Sequence, residues 1–265
     1  MREAIGIDVG GTKIAGGVVD LDAGRVLRAE RLATRPDRGG AAVLAECAAL
    51  AGRLGAPELP VGIGICEMVS RDGRITSAET LEWRTLDVGT VSPGGHVTVE
   101  SDVRAAAMAE AAFGAGAGLR SFLYVIVGTG ASCALVQDGV PWQGARGNAI
   151  VLGSPPAELV AGGLALAQRA GTSDGEQALR DPAHVQLVNE AVSELAGALA
   201  ALLNALDPQA LIVGGGLGTA EPFFERVAEA TRAGIEYEDT RGLPILRSAL
   251  GADGGVIGAA LAATR

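Results

Sequence analysis

The sequence predicts an α/β fold built from two related lobes. Three observations carry that expectation. Apolar β-type runs alternate with Ala-rich helical stretches along 265 residues, long enough to bury a large core. A unit of strand, glycine turn and strand occurs twice, starting near Ile5 and again near Phe122. The 40 glycines follow no period, which excludes a fibrous chain and favours loop-rich α/β architecture. Aromatic residues are only 3% of a chain that is 48% hydrophobic, so Ala, Val, Leu and Ile must build the core.

The segment from Ile5 to Asp20 reads as a β-hairpin. Its first apolar run ends around Asp8, the chain turns on Gly10 and Gly11, and a second apolar run resumes at Ile14. Backbone amides without side chains in front of them can meet an anion, and Thr12 and Lys13 beside them suit a phosphate. Asp8 at the strand end is placed to hold an accompanying Mg²⁺ through its waters. Lys13 is the only lysine among 21 basic residues. A plain turn between edge strands would carry the same residues.

Arg25 to Ala33 reads as a third strand, Gly39 to Leu54 as a helix, and Val61 to Ile65 as a short buried strand. Arg71 to Arg74 is a polar turn, followed by a loop carrying Trp83. Val97 to Glu100 is a strand that feeds Asp102 into a helix from Val103 to Phe113. Catalytic groups are often displayed at such junctions. Asp is also a favoured helix N-cap, so capping is the plainer account of Asp102. Arg104 reads as a solvent-facing helix arginine.

The second unit runs from the strand Phe122–Val127 through the turn Gly128, Thr129, Gly130 to the strand Ala131–Gln137. Asp138-Gly139 then closes a hairpin to Val140–Trp142. Helices follow over Glu158–Ala170, Asp181–Ala205 and Glu221–Ala233. Between the last two, an apolar strand from Ala210 ends in Gly214, Gly215 and Gly216. That junction can accept a nucleotide against bare backbone, or serve packing alone.

A net charge of −10 with no basic block argues against a nucleic-acid partner. No signal-peptide core is visible near the start, and Leu195–Leu206 is short for a membrane span, contains Asn204 and ends at Asp207-Pro208. Cys47, Cys66 and Cys133 are far apart, so neither a disulfide framework nor a zinc cluster is expected, and a reduced cytoplasmic setting follows. His96 and His184 fall outside every motif and read as surface residues.

The order of hairpin turn, acid, hairpin turn and strand-turn-helix, with the literal strings, resembles the ROK family of sugar kinases in the actin-like ATPase superfamily. The run from Gly6 to Asp20 is similar to that family's first phosphate motif at nearly every position. Glu100 to Ala107 resembles the segment carrying the catalytic base, with Asp102 on the base. Gly128-Thr-Gly130 resembles the second phosphate motif, Gly144 to Ala149 the run after it, and Leu211 to Gly216 the adenosine motif. Gly251 to Leu261 resembles the C-terminal helix that packs back across the hinge. The resemblance implies a two-lobed, ribonuclease H-like fold with a cleft. An N-terminal lobe of residues 1–107, joined by residues 252–265, would face a C-terminal lobe of residues 108–251. It further implies ATP with Mg²⁺, a small polyhydroxylated substrate and a homodimer. Asp8, Gly10, Gly11, Thr12 and Lys13 would serve metal and γ-phosphate, Gly128, Thr129 and Gly130 the β and γ groups, and Gly214 to Gly216 the adenosine.

Departures from the family pattern fall on the acceptor side. The family's sugar-binding Glu is Val151 here, and its sugar- and zinc-binding His is Ser154. The Cys-rich zinc loop is missing, since only Pro155, Pro156 and Ala157 separate Ser154 from Glu158, which keeps the place of a further sugar ligand. Pro-Gly-Pro is replaced by Cys66, Glu67 and Met68, and the Asn before Asp102 is Ser101. The expected acceptor-side residues are therefore Glu67, Ser101, Asn148, Val151, Ser154 and Glu158, with no zinc site. Two functions stay open. One is a kinase for a modified sugar, aminosugar or cyclitol rather than glucose. The other is a catalytically weak sensor or scaffold that binds sugar or nucleotide. A DNA-binding repressor of the family is disfavoured, because no helix-turn-helix region precedes Ile5.

Overall fold

The structure, a computed structural model, describes residues 2–150, 152 and 160–265. The chain divides into two compact units: residues 1–114, 141–150 and 252–265, and residues 115–140 and 151–251. The first division falls at Gly114, where the helix carrying Asp102, continuous through Phe113, ends.

Unit 1 holds β1 (Glu3–Val9), β2 (Lys13–Asp20), β3 (Arg25–Ala33), α1 (Gly40–Leu54), β4 (Val61–Ile65), β5 (Val97–Ser101) and α2 (Asp102–Phe113). Its sheet has the order β3-β2-β1-β4-β5, antiparallel through β3, β2 and β1 and parallel from β1 to β5. Side chains alternate across a strand, so Ile5, Ile7 and Val9 share one face with Val61, Ile63 and Ile65. That face packs on Val43, Leu44, Cys47, Leu50 and Leu54 of α1. The opposite face carries Gly6, Asp8, Gly62 and Gly64, and the C-terminal helix lies directly on it. A Cβ on Gly62 would stand 1.7 Å from the carbonyl oxygen of Ala259, so this helix approaches the sheet backbone to backbone. The loop after β4 is anchored by Trp83, which is buried and donates from Nε1 to the carbonyl of Gly40 at 2.9 Å.

Unit 2 holds β6 (Ser121–Val127), β7 (Ala131–Gln137), α3 (Gly163–Ala170), α4 (Gly175–Arg180), α5 (Val185–Leu206), β9 (Leu211–Gly214), α6 (Gly216–Thr219), α7 (Phe223–Ala233), α8 (Glu238–Arg241) and β10 (Ile245–Arg247). Its sheet has the order β10-β9-β6-β7-β8, where β8 is the short edge strand Val140–Pro141. Strand β10 has no signal in the sequence reading. It is three residues long and half-buried on an edge, too short to show a period. After it the chain returns to unit 1 through α9 (Gly254–Ala262).

The helix expected over Asp181–Ala205 resolves into a short turn at Pro182–His184 and α5. By length and composition alone, Pro182–Leu206 is apolar enough to cross a membrane. Its apolar residues nevertheless form a stripe, with Val188, Ala191, Val192, Leu195, Leu199 and Leu203 packed into the unit 2 core and Glu190 and Glu194 exposed. That three-to-four spacing is the signature of a core helix with one solvated face.

Candidate active site

In unit 1, Asp8 and Asp102 stand at the C-terminal ends of two parallel strands with β4 between them. Asp8 pairs in register with Gly64, and Gly64 pairs with Glu100, two residues before Asp102. Gly64 contributes no side chain to the space between them; a Cβ there would lie 3.6 Å from the Cα of Asp102. Burial lifts the Asp102 carboxyl from 3.8 to about 7, with the negative charge of Asp8 adding to the rise. Burial likewise lifts Asp8 to about 6, opposed by the nearby charge of Lys13. The Cys66 thiol, raised above its usual range mainly by burial, also feels the charge of Asp102.

Asp102 is the first residue of α2 and not its cap. Ser101 occupies the N-cap position without making a side-chain cap, and Asp102 Oδ1 accepts from the next amide, Val103, at 2.6 Å. One carboxylate oxygen therefore remains without a backbone partner among the described residues. A carboxyl poised near neutral pH at a strand end can take a proton from a hydroxyl.

The β1–β2 turn closes with Gly10 N donating to Lys13 O at 3.0 Å, and Thr34 braces it by donating from Oγ1 to Gly10 O at 2.7 Å. Gly10 is not in the left-handed region, and its nearest prospective Cβ neighbour is 3.4 Å away. The fold therefore gives little reason for glycine at this position, and backbone access does. The amides of Gly11 and Thr12 donate to nothing among the described residues, and Thr12 and Lys13 are exposed.

Unit 2 repeats the pattern. Gly128 also lacks a positive φ, and a Cβ there would meet nothing within 4 Å. Gly128 and Thr129 accept from Gly163 N at 2.8 Å and Leu164 N at 2.9 Å, which ties the turn to the start of α3. Ile126 pairs with Gly214, so the Gly128–Gly130 and Gly214–Gly216 turns emerge side by side from the ends of β6 and β9. Here the glycine at 215 has a structural cause: its φ is +83° and a Cβ would stand 2.2 Å from Val127 O.

The acceptor-side expectations fare unevenly. Glu67 is buried, and its carboxylate accepts from Ser77 Oγ, Glu79 N at 2.9 Å, and Thr80 N and Leu81 N at 2.7 Å each. With both oxygens so occupied, Glu67 orders the 77–81 loop and is not a free substrate ligand. Ser101 is fully buried, and its Oγ has no hydrogen-bond partner among the described residues. Asn148 is exposed, within the segment 141–150 that belongs to unit 1. Val151, Ser154 and Glu158 lie outside the described residues.

Arg104 corrects the sequence reading outright. It is completely buried, not solvent-facing, and its guanidinium contacts three separate segments. Its Nε donates to Glu100 Oε1 at 2.7 Å, Nη1 to Gly147 O at 2.7 Å, and Nη2 to Val69 O at 2.6 Å. The i, i+4 spacing from Glu100 was a signal for the pair, but nothing local indicated Val69 or Gly147. Among the described residues, no three His, Cys, Asp or Glu side chains gather as a metal-ligand set. The site fits a hard cation held mainly by other ligands: Asp8 offers a carboxylate without hydrogen-bond partners among the described residues, in a region where mutual repulsion of carboxylates would be relieved by positive charge.

A model of the ROK family matches residues 4–160 and 156–265. The chain is 38% identical over 135 residues to a glucokinase of Streptomyces coelicolor, covering 49% of this chain and 42% of that protein. It is 29% identical over 291 residues to the bifunctional enzyme NanE/NanK of Brucella melitensis, covering 98% of this chain and 54% of that protein. The chain thus spans about half the length of these curated relatives. Among solved structures, a ROK family glucokinase from Streptomyces griseus, in complex with glucose and AMPPNP, superposes with a TM-score of 0.85 at 29% identity, covering 99% of this chain and 100% of that one.

Proposed function

The chain belongs to the ROK family, and from that premise we propose that it transfers a phosphoryl group from ATP to a hydroxyl of a sugar or sugar-like polyol. The observation that carries this reading is the placement of Asp8 and Asp102 at the ends of β1 and β5, on either side of β4, beside a turn whose Gly10 the backbone does not demand. ATP brings the transferable phosphoryl group, and bound Mg²⁺ would neutralise charge on its phosphates. Asp102 accepts the acceptor's hydroxyl proton at the carboxylate oxygen that Val103 N does not occupy. Asp8 would hold that cation through its waters. The amides of Gly11 and Thr12, with Lys13, would serve the γ-phosphate, and Gly128, Thr129 and Gly130 would serve the β and γ groups. Gly214, Gly215 and Gly216 line the adenosine. The same reading takes the protein as a cytoplasmic homodimer.

For the acceptor, the reading favours a modified sugar, aminosugar or cyclitol over glucose. The support is in side-chain chemistry: Val151 cannot hydrogen-bond where the family has Glu, and Ser154 is shorter than the family's His. A sugar hydroxyl left without a partner costs about 1–3 kcal/mol, and two such losses weaken glucose by on the order of a hundredfold. A coupled ADP-release assay across glucose, mannose, aminosugars, sugar acids and cyclitols tests the reading. Sugar-dependent ADP release is expected, with glucose a poor acceptor. Efficient turnover of glucose would refute the specificity argument, and nucleotide binding without any turnover would favour a sensor instead.

A further inference from the structure

We propose that Arg104 is a positioning residue that fixes the acceptor side of the site relative to Asp102 and so sets the KM for the acceptor; this rests on the kinase reading above. Arg104 lies half a helical turn beyond Asp102 on the same rigid helix, α2. Its guanidinium has no exposed surface, and a charge so placed is retained only when paired and fully hydrogen-bonded. Glu100 supplies the charge, with Oε1 accepting from Arg104 at 2.7 Å and from Ser101 N at 2.7 Å. The remaining donors reach two carbonyls on separate segments. Val69 lies two residues beyond Glu67, and Gly147 immediately precedes Asn148.

A second observation fixes the same junction. Gly147 has φ of +91°, and a Cβ there would stand 2.3 Å from Val69 O, the oxygen that accepts from Arg104. The 141–150 segment therefore rests on the 66–70 loop at bare backbone, with Arg104 donating to both from beneath. A planar fork spreads its donors over three nitrogens and so reaches a carboxylate and two carbonyls in different directions, whereas a lysine's donors all sit on one nitrogen. Asn148 and the loop after β4 are consequently held to the helix that carries Asp102. A shift of about an ångström in such a support is costly for a transfer reaction.

The test compares wild type with Arg104→Lys, which keeps the charge, and Gly147→Ala, which leaves Arg104 intact. Hydrogen exchange in peptides covering residues 144–150 and 67–72 should rise at least tenfold in both variants, with β1 and α9 unchanged. With the best acceptor from the panel above, acceptor KM should rise tenfold or more while the KM for ATP stays within twofold. Unchanged exchange in both segments would overturn the proposal. So would equal losses affecting acceptor and ATP, which mark a merely structural role. If wild type phosphorylates no acceptor, the kinase reading fails, and the exchange measurement still decides whether Arg104 holds these segments.

Discussion

Replacing Asp102 by asparagine should make the protein more stable at pH 8 than at pH 5, relative to wild type. The folded carboxyl is raised from 3.8 to about 7, so the folded state holds its proton more tightly than the unfolded chain does. Wild type therefore binds more protons folded than unfolded across that interval, and its stability falls as pH rises through about 7. Between pH 5 and pH 7 the rise spans about two pH units, a ceiling of roughly 3 kcal/mol at about 1.4 kcal/mol per unit. Asp102 is partly exposed, and solvent screening reduces this to roughly 1–2 kcal/mol. Asparagine keeps an oxygen for Val103 N, so the hydrogen bond at the start of α2 survives. Urea unfolding of both proteins at pH 5 and pH 8 measures the effect. A difference between variant and wild type that does not change with pH would refute the burial and repulsion assigned to this carboxyl.

For wild type, kcat/KM should fall as pH drops below about 7, because protonated Asp102 cannot accept the hydroxyl proton; a flat profile from pH 5.5 to 8 would exclude it as the base. Gly10→Ala and Gly128→Ala should leave thermal stability nearly unchanged and weaken Mg-ATP binding at least tenfold by calorimetry, since neither backbone position demands glycine. Gly62→Ala should have the opposite character, destabilising by about 3 kcal/mol or more through a forced clash with Ala259 O, readable as a lowered urea midpoint. Trp83→Ala should cost about 3–5 kcal/mol by leaving a large void under the loop after β4.

Much of the fold was legible because its signals are local. Alternation in Val61–Ile65 separates two faces, and the strands Arg25–Ala33 and Ala131–Gln137 occur where the sequence placed them. The turns at Gly10 and Gly128 were readable because glycine there has no competing structural duty. What escaped depends on contacts between distant segments. Glu67 was singled out because Cys66, Glu67 and Met68 replace the family's Pro-Gly-Pro, and nothing in that string shows the four donors from the 77–81 loop that its carboxylate meets. Arg104 looked exposed because arginine on a helix usually is, and its partners Val69 and Gly147 lie 35 and 43 residues away. Asp102 at a strand-helix junction suggested a cap, and only the backbone geometry moved the cap to Ser101.

The most direct test of the central claim is phosphoryl transfer by Asp102→Asn beside nucleotide binding by the same variant. Sugar-dependent ADP release should fall at least a thousandfold from wild type, while titration with Mg-AMPPNP gives an affinity within about threefold of wild type. Full transfer activity in Asp102→Asn would contradict the account.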